Sequence, residues 1–151
     1  MIIACETYID APVEKAVKLF ADRKNLKKWQ DGFQSLSPIS DEPGSIGARS
    51  KIIFENKGHT IELIETILVN DLPAEFKALY EHSHGSNTTT SSFAVVPGGK
   101  TRFTMAIETV AIKGLLPKIM MVIMPRMVKK PTQKWLENFK ALAEAPGEEK
   151  P

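Results

Sequence analysis

The sequence predicts an α+β domain: one strand, two short helices, six antiparallel strands and a long closing helix, in that order. Three observations carry this. Apolar alternation at Ile3, Cys5, Thr7 and Ile9 gives way to helical spacing at Val13, Ala16, Val17 and Phe20. Residues 33–113 then switch to strand-like runs punctuated by turn chemistry. After Gly114 the helical period returns, opened by Met120, Met121, Met124 and Met127, four of the chain's 6 methionines.

Taken in order, the opening strand covers Ile2–Ile9. Asp10-Ala11-Pro12 begins a helix, with Asp10 or Ala11 at the cap and proline tolerated in the first turn. Asp22 caps a second short helix that places Leu26 and Trp29 on one face, and Gly32 ends it. Breaks fall at Asp41-Glu42-Pro43-Gly44, Asn56-Lys57-Gly58, Asp71-Leu72-Pro73, Gly85-Ser86-Asn87 and Pro97-Gly98-Gly99. The links are short, so the runs between them pair as antiparallel hairpins. In the last helix Met121, Met124, Val128, Trp135, Phe139 and Leu142 share a face, with Leu136 and Ala143 beside them. Pro125 and Pro131 each remove a helical hydrogen bond, which predicts a kink or a break and a cleaner helix over 132–144. Residues 1–145 form a single domain in this reading, and 146–151 a frayed tail.

Composition narrows the function classes. A chain of 151 residues with 42% hydrophobic and 25% charged residues is an ordinary globular domain. A net charge of +2 is too small a bias to argue for nucleic acid. Cys5, the only cysteine, has no internal disulfide partner and excludes two-cysteine metal spacings, which suits a reducing cytoplasm. No signal peptide is evident. The most apolar stretch, 115–128, is interrupted by Pro117, Lys118, Pro125 and Arg126 and falls short of the roughly 20 residues a transmembrane helix needs. No cofactor or metal is expected.

The opening ETYIDAPVEKAVKLFADRKNLKKW, the mid-chain ETILVNDLP, and KGLLPKIM followed by WLENFKALAE together resemble the START/Bet v 1-like superfamily, also called the polyketide cyclase/dehydrase and lipid-transport (SRPBCC) superfamily. The resemblance implies a helix-grip fold: a seven-stranded curved antiparallel sheet wrapped around a long C-terminal helix, with two short helices after the first strand. It also implies a cavity between sheet and helix. Members include lipid and hormone binders, aromatic cyclases, and partners of chaperones or ribosomes. They share no catalytic motif, so no active-site residue carries over. The proline pair departs from the family's smoothly helical last segment.

Candidate site residues come from strand parity. Ile61, Leu63, Ile67 and Val69 form an apolar face that also holds Glu65. A carboxylate there must be paired, with Arg49 one available partner, or stay protonated. Phe76, Ala78, Tyr80 and His82 share the next strand's inner parity, so Tyr80 and His82 join Glu65 as a proton-transfer set or as polar anchors for an apolar guest. His84 sits at a turn and is solvated. Thr89 and Ser91 share parity with Phe93, and Phe103 and Met105 face the same interior. Methionine is unbranched and polarizable, so Met120, Met121 and Met124, with Val128 and Trp135, make an adjustable wall. Lys15, Lys18, Arg23, Lys24, Lys27 and Lys28 read as a solvated face. For 115–128 pocket lining ranks first, a homodimer contact second and membrane docking third.

The leading expectation is therefore binding of a hydrophobic small molecule or lipid in an internal cavity. The ligand-binding set is Glu65, Tyr80, His82, Phe93, Phe103, Met105, Met120, Met121, Met124, Val128 and Trp135. A cyclase or dehydratase using Glu65, His82 and Tyr80, and a macromolecular interaction module, are the alternatives.

Overall fold

Burial in β1 (Ile2–Ile9) alternates residue by residue, with Ile3, Cys5, Thr7 and Ile9 inward. That period of two is what a strand with one covered face requires. The computed structural model describes residues 2–40, 42–113 and 117–146, with side chains in the last segment from 125 onward. After β1 come α1 (Val13–Ala21), a 3₁₀ turn (Arg23–Asn25), α2 (Leu26–Trp29), β2 (Phe33–Ser40), β3 (Arg49–Asn56) and β4 (His59–Asp71). Then follow β5 (Glu75–His82), β6 (Gly85–Val96), β7 (Lys100–Ile112) and α3 (Pro117–Glu144). The strands form one curved antiparallel sheet in the order β1-β7-β6-β5-β4-β3-β2. Register shifts within the β2–β3, β4–β5 and β6–β7 pairs supply local bends.

Helix α3 lies in the hollow of that sheet and is held on both flanks. On one side Gln133 donates to the Glu6 carbonyl at 3.1 Å and Lys140 to the Tyr8 carbonyl at 2.6 Å. The Asp10 N–H donates to Glu144 at 2.7 Å. The helix therefore runs along β1 in the same direction. On the other side Trp135 stacks on Phe54 of β3 at 5.5 Å and 13°. Asn138 donates to the Trp29 carbonyl at 3.1 Å and to Asp31 at 3.0 Å.

The inward stripe of α1, predicted at Val13, Ala16, Val17 and Phe20, is observed, with Ala16 and Phe20 buried. Phe20 meets Phe76, Phe93, Phe103 and Phe139 with ring centroids 5.3–6.4 Å apart. Trp29 closes the cluster against Phe139 at 5.2 Å. Its indole N–H is buried without an acceptor among the described residues. Leu136, Phe139 and Ala143 are the α3 residues sealed into this knot, each with 0% exposure.

Several details differ from expectation. The cap of α1 is Pro12, whose carbonyl accepts from the Lys15 and Ala16 N–H groups, while the Asp10 backbone turns to Glu144 instead. The fourth turn falls at Ser83-His84, because Gly85 belongs to β6. Gly85 has φ +144°, and a Cβ there would sit 2.1 Å from the Ala111 carbonyl oxygen. This glycine serves a close strand approach rather than a turn. Neither Pro125 nor Pro131 breaks α3. Beside Pro131 the Thr132 hydroxyl donates to the Val128 carbonyl at 2.7 Å. Nearly all of the expected tail lies outside the described residues.

Phe139→Ala should lower stability by about 4 kcal/mol in a denaturant titration, because it opens the sealed aromatic knot. Met127→Ala, on the exposed face of the same helix, should change it by no more than about 0.5 kcal/mol.

Candidate functional site

Strand register lines up a row of polar side chains across an otherwise apolar inner face. Ser50 of β3 pairs with Glu65 of β4, Glu65 with Tyr80 of β5, Tyr80 with Asn87 of β6, and Asn87 with Thr109 of β7. On either side of the row lie Ile52, Ile67 and Ala78, all buried. Parity alone puts Glu65 and Tyr80 together, as the sequence predicts.

Glu65 is 1% exposed, and a carboxylate at that depth needs compensation. The compensation is Arg23, delivered by the 3₁₀ turn between α1 and α2. Its Nη2 donates to Glu65 Oε1 at 3.0 Å and to Oε2 at 2.8 Å. The Tyr80 hydroxyl donates to Oε2 at 2.7 Å. The guanidinium carbon also lies 5.8 Å from the centre of the Phe76 ring, a cation–π placement. Arg49, the partner expected from sequence, is set on the other parity of β3, opposite Thr66. Asp22 fixes the turn that aims Arg23, accepting from the Lys24 N–H at 3.0 Å.

The electrostatics of the triad follow from this geometry. Burial pulls the Arg23 guanidinium down, but the Glu65 charge, Tyr80 and the hydrogen bond to Glu65 outweigh it and raise it. Burial, reinforced by the adjacent Glu65 charge, pushes the Tyr80 phenol well above its ordinary value. Tyr80 therefore stays a hydrogen-bond donor. Both oxygens of Glu65 are engaged, so the carboxylate is suited to holding Arg23 and Tyr80 in place. It is poorly placed to take a proton from a substrate.

The remaining predicted residues divide into four groups. Phe93, Phe103 and Met105 face inward but are packed into the aromatic end of the interior, at 4%, 0% and 3% exposure. Val128 and Trp135 are half-buried on α3. The side chains of Met120, Met121 and Met124 lie outside the described residues. His82 shares the inner parity with Tyr80 but sits at the end of β5, beyond the triad. There it lines an open cleft of about 490 Å³ with His59, His84, Thr60, Ile61, Glu62 and Ser83. Its Nδ1 accepts from the His84 N–H at 3.2 Å. Among the described residues no group of three His, Cys, Asp or Glu side chains is arranged to hold a metal.

Sequence reasoning misses Arg23 and groups it with the solvated cations. One signal is present: it is the single arginine among five lysines, and arginine's weakly hydrated guanidinium is better suited than an ammonium to a buried ion pair.

Arg23→Leu should destabilise the fold by about 3 kcal/mol, since it strands a buried charge. The double variant Arg23→Leu/Glu65→Leu should recover most of that loss in a double-mutant cycle. Burial, then His84 and Lys113, hold the His82 imidazole below its ordinary 6.5. Between 6.5 and that lower value the unfolded chain binds more protons, so the stability His82 contributes is complete above 6.5 and is lost as pH falls. His82→Gln should flatten this part of the stability–pH curve measured by denaturant midpoints.

The fold recurs widely among solved structures. The aromatase/cyclase ZhuI from Streptomyces sp. R1128 superposes with a TM-score of 0.79 at 10% identity, covering 95% of this chain and 93% of that one. TTHA0849 from Thermus thermophilus gives 0.77 at 17% identity over 95% and 97%. Major latex-like protein 151 from Panax ginseng gives 0.72 at 15% identity over 97% and 98%. No curated protein sequence matches. Residues 3–144 match the family described as polyketide cyclase/dehydrase and lipid transport. With that match spanning nearly the whole chain on a helix-grip fold, the protein belongs to the polyketide cyclase/dehydrase and lipid-transport family.

Proposed function

We propose that the protein binds a hydrophobic small molecule or lipid between the sheet and the front half of α3. A contrast along one sheet face carries this reading. At the end covered by α1 and α2, Ile9, Thr101 and Phe103 have no accessible surface. At the other end Leu63, Tyr80, His82, Asn87, Thr89 and Ile107 point the same way yet stay partly accessible. An inward surface of mixed apolar and polar groups that the described side chains do not seal is surface a guest can cover. Each apolar Å² so covered contributes about 25 cal/mol.

The polar row orients that guest. The outer N–H groups of Arg23, whose side chain keeps 30% accessibility, present donors toward a ligand's oxygen atoms, and the Tyr80 oxygen, its proton given to Glu65, presents an acceptor to a ligand hydroxyl. Met120, Met121 and Met124 would form a wall that reshapes around different ligands. A cyclase or dehydratase working through Glu65 fits less well, because both of its oxygens are already hydrogen-bonded. A reducing cytoplasm suits the buried Cys5 thiol.

Native mass spectrometry of protein purified from its own host should reveal a co-purifying apolar molecule. An environment-sensitive apolar fluorophore should bind and be displaced by fatty acids. Leu63→Trp, which fills the accessible end, should abolish that binding with the fold intact by circular dichroism. Tyr80→Phe should weaken ligands that carry a hydroxyl head group by about fivefold, the loss of the hydrogen bond that the Tyr80 oxygen accepts. Equal fluorophore binding by the Leu63→Trp protein would overturn the site. Turnover of a polyketide substrate that falls at least tenfold in Glu65→Gln would replace binding with catalysis.

A further inference from the structure

From Thr109 to Leu136 the sequence contains no acidic residue, yet it carries Lys113, Lys118, Arg126, Lys129, Lys130 and Lys134. Where side chains are described, Arg126, Met127, Lys129 and Lys130 are all exposed on α3, Met127 at 62%. Lys134 is paired with Asp31 at 3.4 Å, whereas Arg126, Lys129 and Lys130 have no carboxylate within ion-pair distance among the described residues. Pro125, Arg126, Lys129, Lys130 and Gln133 also line an open groove whose walls are almost entirely carbon. The methylene stems of the basic residues form those walls and carry the charges to the rim.

Other elements reach this end of the molecule, with Ile2 on the sheet face turned away from α3. The Cys5 thiol donates to the Lys129 carbonyl at 3.7 Å, so α3 before Lys129 is directed toward the Ile2 end of β1. Ile2 pairs with Glu108 there, and Ile2 and Val110 are 64% and 58% exposed. Lys113 is exposed at the same end. Glu108 is the one acidic residue of β7 at this end.

We propose that this end of the molecule, centred on Met127 between Arg126, Lys129 and Lys130, docks on an anionic lipid bilayer. Charge complementarity chooses a negatively charged partner, and the apolar component chooses a membrane over a nucleic acid. An exposed methionine among cations has no role against a phosphate backbone, but it can enter the boundary between head groups and acyl chains. Anionic lipids attract each nearby Lys or Arg strongly enough to change binding about fivefold. Three such groups plus buried Met127 give a weak, reversible association that salt weakens. This docking is independent of what occupies the interior.

The test is flotation of the full chain with vesicles of phosphatidylcholine alone or with about 30 mol% phosphatidylglycerol, at ionic strengths from about 0.1 to 0.5 M. Binding should be at least tenfold stronger to the anionic vesicles and should be lost at high salt. Lys129→Glu/Lys130→Glu should weaken it at least 25-fold, and Met127→Asp at least fivefold. Lys24→Glu/Lys27→Glu/Lys28→Glu, a comparable charge change on the other basic region, should leave at least half of the binding. Equal flotation with neutral and anionic vesicles, an equal loss in the α2 variant, or tight binding to a DNA duplex with no flotation would each overturn the proposal. The lipid-composition and salt measurements use the unaltered protein, so they stand even if a variant misfolds.

Discussion

A bent sheet of seven strands presents more inward surface than one helix can cover, and this mismatch governs the architecture. The protein resolves it unevenly. Helices α1 and α2 bring Phe20, Leu26 and Trp29 onto one end, where they meet Phe93, Phe103 and Phe139 and leave no gap. Among the described residues nothing comparable crosses the other end, which is left to the front half of α3. On the proposed reading, stability and ligand binding fall to opposite ends of one continuous face, so mutations that tune one can spare the other.

The Arg23–Glu65–Tyr80 cluster stands at the border between those ends. It is a chain of charge compensation in which each member exists for the next: Glu65 is tolerable in the interior because of Arg23, and Tyr80 keeps its proton beside Glu65. Arg23 also ties the turn between α1 and α2 to β4, across 42 residues of sequence. A polar device of this kind contributes little net stability compared with an apolar replacement, but it fixes orientation. If the proposed guest binds there, polar groups held in fixed positions would let the site discriminate among molecules of similar size.

Much of this is legible in the linear chain. Alternation and turn chemistry specify seven strands, and parity alone brings Glu65 and Tyr80 to one face, because a strand's period of two leaves no other choice. Arg23 escapes a linear reading because its role depends on a turn swinging it across the sheet, which no local pattern encodes. The expected lining by Phe93 and Phe103 overlooks Phe20 and Phe139, which arrive from distant helices to occupy the same space. Local cost alone predicts that the prolines disrupt α3, although contacts on both flanks of the helix hold it in place. Gly85 resembles a turn residue because glycine's two uses, positive φ and close approach, leave the same letter in the sequence.

The side chains that hold α3 also shield a strand edge. Gln133 and Lys140 cap carbonyls on the outer border of β1, groups that would otherwise be free to recruit another polypeptide. At the opposite border β2 carries Pro38, which cannot donate to an incoming strand. Lifting the helix far enough to release a large guest would therefore unmask an adhesive rim. Selection against clumping should favour small excursions of the helix front over detachment of its rear, and so limit cargo to what can leave through a partial opening.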